Sequence, residues 1–140
     1  MPGIVGLGKA IELANKNIEV YHTKLTKLRD SYMHQVFEKI PNVRLNGHPE
    51  KRLPGNANMT FEGVEVGSLL LLLSANGIYA SGGSACNSKS TTPSHVLTAI
   101  GCSREEAKST LRATFGEDNT TEEVDYVVAK LQNFVERLRK

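Results

Sequence analysis

Apolar residues recur at steps of three or four from Ile4 to Ile40, through Leu7, Ile11, Ala14, Ile18, Tyr21, Leu25, Leu28, Tyr32 and Val36. This spacing marks one face of an α-helix. No glycine or proline interrupts the pattern after Gly8, and Pro41 stops it, so the stretch is predicted as one long amphipathic helix or two in line. At about 1.5 Å per residue it would run about 55 Å, well beyond the roughly 30 to 35 Å width of a compact domain of this length. Either the stripe buries part of its length on something outside this chain, or the helix is solvated and kinked. Periodicity alone does not separate the two.

Downstream the periods change. Val43-Arg44-Leu45 and the alternating Ala57-Asn58-Met59-Thr60-Phe61 read as strands, separated by turns at Asn46-Gly47-His48-Pro49 and Leu53-Pro54-Gly55. Val64 to Asn76 reads as a helix whose Leu69 to Leu73 leave almost no polar face, which predicts burial on most sides, with Gly77 at its C′ position. Ile78-Tyr79-Ala80 is expected to be a short extended segment, and Ser81 to Thr92 a mobile loop of small and polar residues. Thr92 and Pro93 suit the N-cap and N1 of a helix ending at Gly101. Ser103 with Glu106 and Thr120 with Glu123 read as capping boxes, with Leu111-Arg112-Ala113-Thr114-Phe115 as a strand between those two helices. The order α-β-β-α-β-α-α-β-α predicts an α+β fold, a small, mostly antiparallel sheet covered by helices, with a long N-terminal helix. No linker divides it, so residues 1–140 are expected to form a single domain, with 1–40 as a long linking helix and 41–140 as the sheet-and-helix body.

Composition narrows the function classes. Seventeen Lys and Arg against 15 Asp and Glu give a net charge of +2, scattered along the chain, which leaves no footprint for nucleic acid or an anionic membrane. The longest apolar run, Leu69 to Leu73, is far shorter than a membrane span, and the N-terminus carries no secretory signal, so a cytoplasmic location is expected. In that setting Cys86 and Cys102 are expected to be thiols.

Cys86 lies in the small-residue loop, where a thiol would be accessible, and Lys89 could help to stabilise a thiolate. A reactive thiol and a loop cysteine without a role both fit. Cys102, between Gly101 and Ser103, suits a small hydrophobe. In the strand Leu111 to Phe115, Arg112 points away from the apolar face. A guanidinium fixed on a strand suits bidentate binding of a carboxylate, although position alone fits a surface arginine better. His22, His34, His48 and His95 have no partner nearby in sequence and read as structural or surface residues. No Cys-x-x-Cys, His-x-x-x-His or clustered carboxylates suggest a metal site.

Arg52-Leu53-Pro54-Gly55-Asn56, Ser68 to Leu73, Gly83-Ser84-Ala85-Cys86, Pro93-Ser94-His95-Val96-Leu97 and Leu111-Arg112, in this order, strongly resemble cysteine desulfurases of the NifS/IscS-like group. These are pyridoxal-phosphate enzymes of the class V aminotransferase family, and the resemblance is to their C-terminal, small domain, of the fold-type I PLP-dependent transferase type. It runs nearly end to end, from Gly3 to the last helix. It implies that Cys86 is the nucleophile that takes sulfur from L-cysteine as a persulfide, releasing L-alanine, and that Arg112 holds the substrate carboxylate. Gly82 and Asn87 stand where the family usually has serine and threonine or serine. The resemblance further implies pyridoxal 5'-phosphate as cofactor, an N-terminal PLP-binding domain, an iron–sulfur scaffold or sulfur-carrier protein as acceptor, and a homodimeric parent.

The family's cofactor lysine follows a Ser/His pair, and no lysine here has that context. The chain is therefore expected to be a domain fragment, with Met1 directly before family-like sequence suggesting an artificial start, and to be inactive alone. Two rivals are a stand-alone sulfur-acceptor or scaffold-docking module and a selenocysteine lyase or other class V relative. The Gly83-Ser84-Ala85-Cys86 loop argues against the latter.

Overall fold

A computed structural model of the chain describes residues 1–83 and 94–140. In order it forms α1 (Pro2–Lys39), β1 (Val43–Leu45), β2 (Asn56–Phe61), α2 (Val66–Ser74), α3 (His95–Ala99), α4 (Arg104–Lys108), β3 (Thr110–Thr114) and α5 (Thr121–Leu138). The strands make one antiparallel sheet in the order β1-β2-β3.

The sheet is two-sided, as the alternation predicts. Ala57, Met59 and Phe61 of β2 and Leu111 of β3 are buried in one core with Leu69 and Leu73 of α2 and Val124, Val128, Leu131 and Val135 of α5. Leu28, Tyr32 and Val36 of α1 join it at four-residue spacing, and the Tyr32 ring meets Phe115 edge-on at 5.5 Å. The opposite face carries Arg44, Asn58, Thr60, Thr110 and Arg112, and α4 packs over β2 there.

α1 is one continuous helix of 38 residues, about 57 Å long. Only its second half packs on the body. Upstream, Ile4, Leu7, Ile11 and Ile18 of the apolar stripe are exposed.

Local signals hold where they were read. Ser103 with Glu106 and Thr120 with Glu123 form complete capping boxes. Gly77 takes φ +74°, with Ile78 N–H donating to Leu73 O and Gly77 N–H to Ser74 O, both at 3.0 Å, the paired bonds of a Schellman motif. Three details differ from expectation. α2 buries only Leu69 and Leu73 while Leu71 is 74% exposed, because the helix is covered from the sheet and α5 side alone. Residues 78–80 form no strand, since Ile78 is committed to the helix cap and only Ser81 pairs, with Arg112. α3 begins at His95 behind Ser94, and the expected capping pair Thr92 and Pro93 lies outside the described residues.

Candidate functional site

The polar face of the sheet is built around Arg112. Its register partner is Asn58. Phe61 N–H bonds Ser109 O and Phe115 N–H bonds Gly55 O, so the bonded pairs fall on odd positions of β2 and Asn58–Arg112 is a non-hydrogen-bonded pair. In such pairs the Cα atoms approach to about 4.5 Å and the side chains lie close together on one face. The backbone of Arg112 turns to the other edge, where its N–H donates to Ser81 O at 2.6 Å and its carbonyl accepts from Ser81 N–H at 3.1 Å. Ser81 Oγ then donates to Gly83 O at 2.7 Å. Gly83 is thus tied through Ser81 to the backbone of Arg112.

Arg112 lines a cavity of about 630 Å³ together with Asn46, Arg52, Asn56 and Asn58. Gly83, Ser94 and His95 line it as well. Among the described residues lining it there is no Asp or Glu and there are two arginines. Arg52 is latched by donating from Nε to Asn56 O, from Nη2 to Asn46 O and from Nη1 to His48 O, at 3.1, 3.3 and 3.4 Å. Burial pulls its pKa below the ordinary arginine range, and repulsion from Arg29 adds to this, yet a guanidinium keeps its charge in proteins. The cavity therefore suits an anion.

Beneath the cavity runs a buried polar chain. Asn46 Nδ2 donates to Asn58 Oδ1 and to Thr60 Oγ1, each at 2.9 Å. Thr60 and Thr110 hydroxyls are 2.8 Å apart, and Thr110 Oγ1 donates to Glu106 O at 2.7 Å. Cys102, packed against Leu97 and Ala107 as a small hydrophobe, also points Sγ at Asn46 Oδ1, 3.7 Å away. Arg44 bridges outward from Cys102 Sγ to Glu106 Oε1, the latter at 2.8 Å.

Of the two candidates raised by the sequence, Arg112 sits half-buried in this cavity and Cys86 lies outside the described residues. His95, read as a surface residue, is exposed and lines the cavity. Asn46, Arg52 and Asn58 were not singled out. The alternation over 57–61 does place Asn58 on the polar face, but no local pattern states which residue of another strand it faces. A second cavity of about 480 Å³, on the apolar side, is lined by Tyr32, Leu73, Tyr79, Phe115 and Tyr126. Its carboxylate, Glu123, is engaged in the α5 cap.

An α+β body with a long leading helix and a guanidinium-lined polar sheet face defines the class of protein. The chain belongs to the class-V aminotransferase family, whose model matches residues 1–127. It is 54% identical over 139 residues to the cysteine desulfurase IscS of Methanosarcina thermophila, 46% over 140 residues to that of Clostridium botulinum, and 42% over 139 residues to the cysteine desulfurase of Rattus norvegicus. These alignments cover 99% of this chain but 34%, 35% and 30% of the relatives, so the chain spans about a third of their length. Among solved structures it resembles a NifS-like protein at a TM-score of 0.81 and 29% identity, covering 97% of this chain and 34% of that one. A NifS-like protein of Rickettsia africae gives 0.81 and 26%, covering 95% and 34%. The fold and the resemblance read from the sequence are thereby borne out.

Proposed function

We propose that the chain is the part of a cysteine desulfurase that contributes the substrate-carboxylate anchor, Arg112, and the sulfur acceptor, Cys86. One observation carries the reading. The backbone pair between Arg112 and Ser81 ties Gly83, three residues before Cys86 in sequence, to a cavity that Arg112 lines and that, among the described residues, has no Asp or Glu. Cys86 follows Gly83 by three residues, a tether of at most about 11 Å, so its sulfur and a carboxylate held by Arg112 belong to one neighbourhood. In the proposed reaction a bond forms between the Cys86 sulfur and the sulfur of L-cysteine while the substrate carbon–sulfur bond breaks. The released electron pair and a proton end on the carbon that becomes the methyl group of L-alanine. The persulfide then passes to an iron–sulfur scaffold or sulfur-carrier protein.

The pyridoxal phosphate implied by the family needs a lysine for its attachment. Among the described residues lining the cavity none is a lysine, so the cavity does not fit that attachment. The sequence holds no lysine after a Ser/His pair, the context the family uses, so the reading makes the isolated chain inactive on L-cysteine and gives it, as partner in catalysis, an N-terminal cofactor-binding domain in a homodimeric parent. A stand-alone sulfur acceptor would share Cys86 but would have no use for a carboxylate anchor, which is why Arg112 favours the desulfurase.

The test is a chimera in which these 140 residues replace the matching third of the Methanosarcina thermophila relative. It is expected to form alanine from L-cysteine and to carry one extra sulfur on Cys86 by mass spectrometry, while the isolated chain with added pyridoxal phosphate forms none. Cys86→Ala should abolish the persulfide and leave cofactor absorbance in place. Full activity in that variant sinks the nucleophile assignment, and alanine formation by the isolated chain sinks the division of roles.

A further inference from the structure

Arg112 has a neighbour suited to the same ligand. Asn58 faces it across a non-hydrogen-bonded register position on the same side of the sheet, and both line the same cavity. The orientation of the Asn58 amide is fixed from below by a one-way run of hydrogen bonds. Thr110 gives its proton to the Glu106 carbonyl, which has none to return, so Thr60 donates onward and accepts from Asn46. Asn46 therefore presents N–H groups to this side, and its second one is taken by Asn58 Oδ1 at 2.9 Å. Its own Oδ1 accepts from the Cys102 thiol and lies 3.3 Å from Thr60 Oγ1, a longer contact than the 2.8 Å one that takes the Thr60 proton to Thr110. With Asn58 Oδ1 held, Asn58 is left with a donor, Nδ2, for the cavity. Among the described residues neither this Nδ2 nor the Arg112 guanidinium has an acceptor within hydrogen-bonding distance.

We propose that Asn58 is a second carboxylate-binding residue, with Nδ2–H donating to the α-carboxylate that Arg112 holds. The inference rests on the reading that Arg112 anchors a carboxylate, and adds to it. A neutral amide is the residue type such a place requires. An aspartate facing Arg112 would pair with the guanidinium and occupy the anchor, whereas an amide adds a donor without cancelling the charge. Asn46, whose amide nitrogen and oxygen are already engaged within the buried polar chain, is the positioning residue that selects which end of Asn58 is offered.

The 140-residue chain, labelled with ¹⁵N, is titrated with L-alanine, which carries the same α-carboxylate as L-cysteine without its thiol, and in parallel with L-alaninamide. Asn58 Nδ2H₂ and Arg112 Nε–H resonances should move together and saturate with L-alanine, and stay in place with the amide. Asn58→Ala should weaken binding about tenfold, the worth of one hydrogen bond to a charged group. Asn58→Asp should abolish it with the thermal midpoint recorded alongside. If Arg112 Nε–H moves while Asn58 Nδ2H₂ does not, or if a folded Asn58→Ala variant binds within about twofold of the original, Asn58 has no such role and the Arg112 anchor stands. If neither resonance responds, or if L-alaninamide shifts both equally, the anchor itself is refuted and the Asn58 proposal falls with it. The resonance response of the unsubstituted chain decides the matter even where a variant fails to fold.

Discussion

Replacing Asn46 by alanine tests the buried polar chain on which this site is built. Asn46 is 5% exposed and Thr60 1% exposed. The substitution removes the two 2.9 Å donations, to Thr60 Oγ1 and Asn58 Oδ1, and leaves the backbone bond from Asn46 N–H to Asn58 O in place. Asn58 lines the cavity, so water replaces its lost partner and that bond is worth about 0.5 to 1 kcal/mol. Thr60 is sealed, and its acceptor left without a donor costs about 1 to 3 kcal/mol. The total is about 1.5 to 4 kcal/mol, which for 140 residues lowers the melting temperature by about 5 to 14 °C. Urea unfolding followed by circular dichroism measures it. Thr60→Val alone should cost somewhat less, because the Asn46 N–H it releases keeps only the longer 3.4 Å contact to Thr110 Oγ1. The double variant should be less destabilised than the sum, with a coupling of about 1 to 2 kcal/mol. Additivity of the two within about 0.5 kcal/mol, or a loss below that figure for Asn46→Ala, would refute the argument that these side chains act as one bonded unit.

Two further outcomes follow from the caps and latches. The Glu65 carboxylate caps α2 by accepting from Ser68 N–H at 2.7 Å, Gly67 N–H at 2.9 Å and Ser68 Oγ at 2.9 Å; the Ser68 backbone bond is the largest of the effects that hold its carboxyl below the ordinary value of 4.5. Its contribution is present above that value and lost as pH falls through the lower folded value; Glu65→Gln should therefore cost most stability above 4.5 and progressively less in acid, and parallel pH–stability curves for the two proteins would contradict this. Arg139 ties the end of α5 to the rest of the body by donating from Nε to Glu62 O at 2.8 Å, Nη1 to Pro41 O at 2.8 Å and Nη2 to Asn42 O at 3.1 Å. Arg139→Ala should cost about 1 kcal/mol in chemical denaturation, and Arg139→Lys should recover little of it, since an ammonium cannot span three carbonyls.

The features legible in the sequence are those set by neighbours along the chain. The two capping boxes, the Gly77 cap and the faces of β2 and β3 each depend on residues within about one turn or one strand, and each is found where the spacing puts it. The long stripe of α1 was legible as a helix but not in its surroundings. Burial begins only near Leu28, where α5 and β2 meet it, while Ile4 and Ile11 face solvent. Expecting Ile78 to Ala80 to be a strand failed because the cap of α2 takes the Ile78 N–H, leaving too short a stretch before Ser81 to form a ladder.

Arg112 shows where local reading ends. Its alternation placed the side chain on the polar face, and from position alone a wet surface arginine was the better reading. Four non-local residues make its surroundings: Asn58 from β2 across the register, Ser81 on the other edge, and Arg52 and Asn46 from the segment after β1. None is within 25 positions of Arg112 in sequence, and all depend on the apolar face of the same sheet packing first. Leu111 and Ala113, on either side of Arg112, belong to that core or pack against it. The packing of the apolar residues therefore fixes the strand register, and the register fixes which donors line the cavity. A one-residue slip of β3 against β2 would turn Arg112 into the core, so the place of its guanidinium on the polar face is specified by the hydrophobic residues that flank it as much as by the arginine.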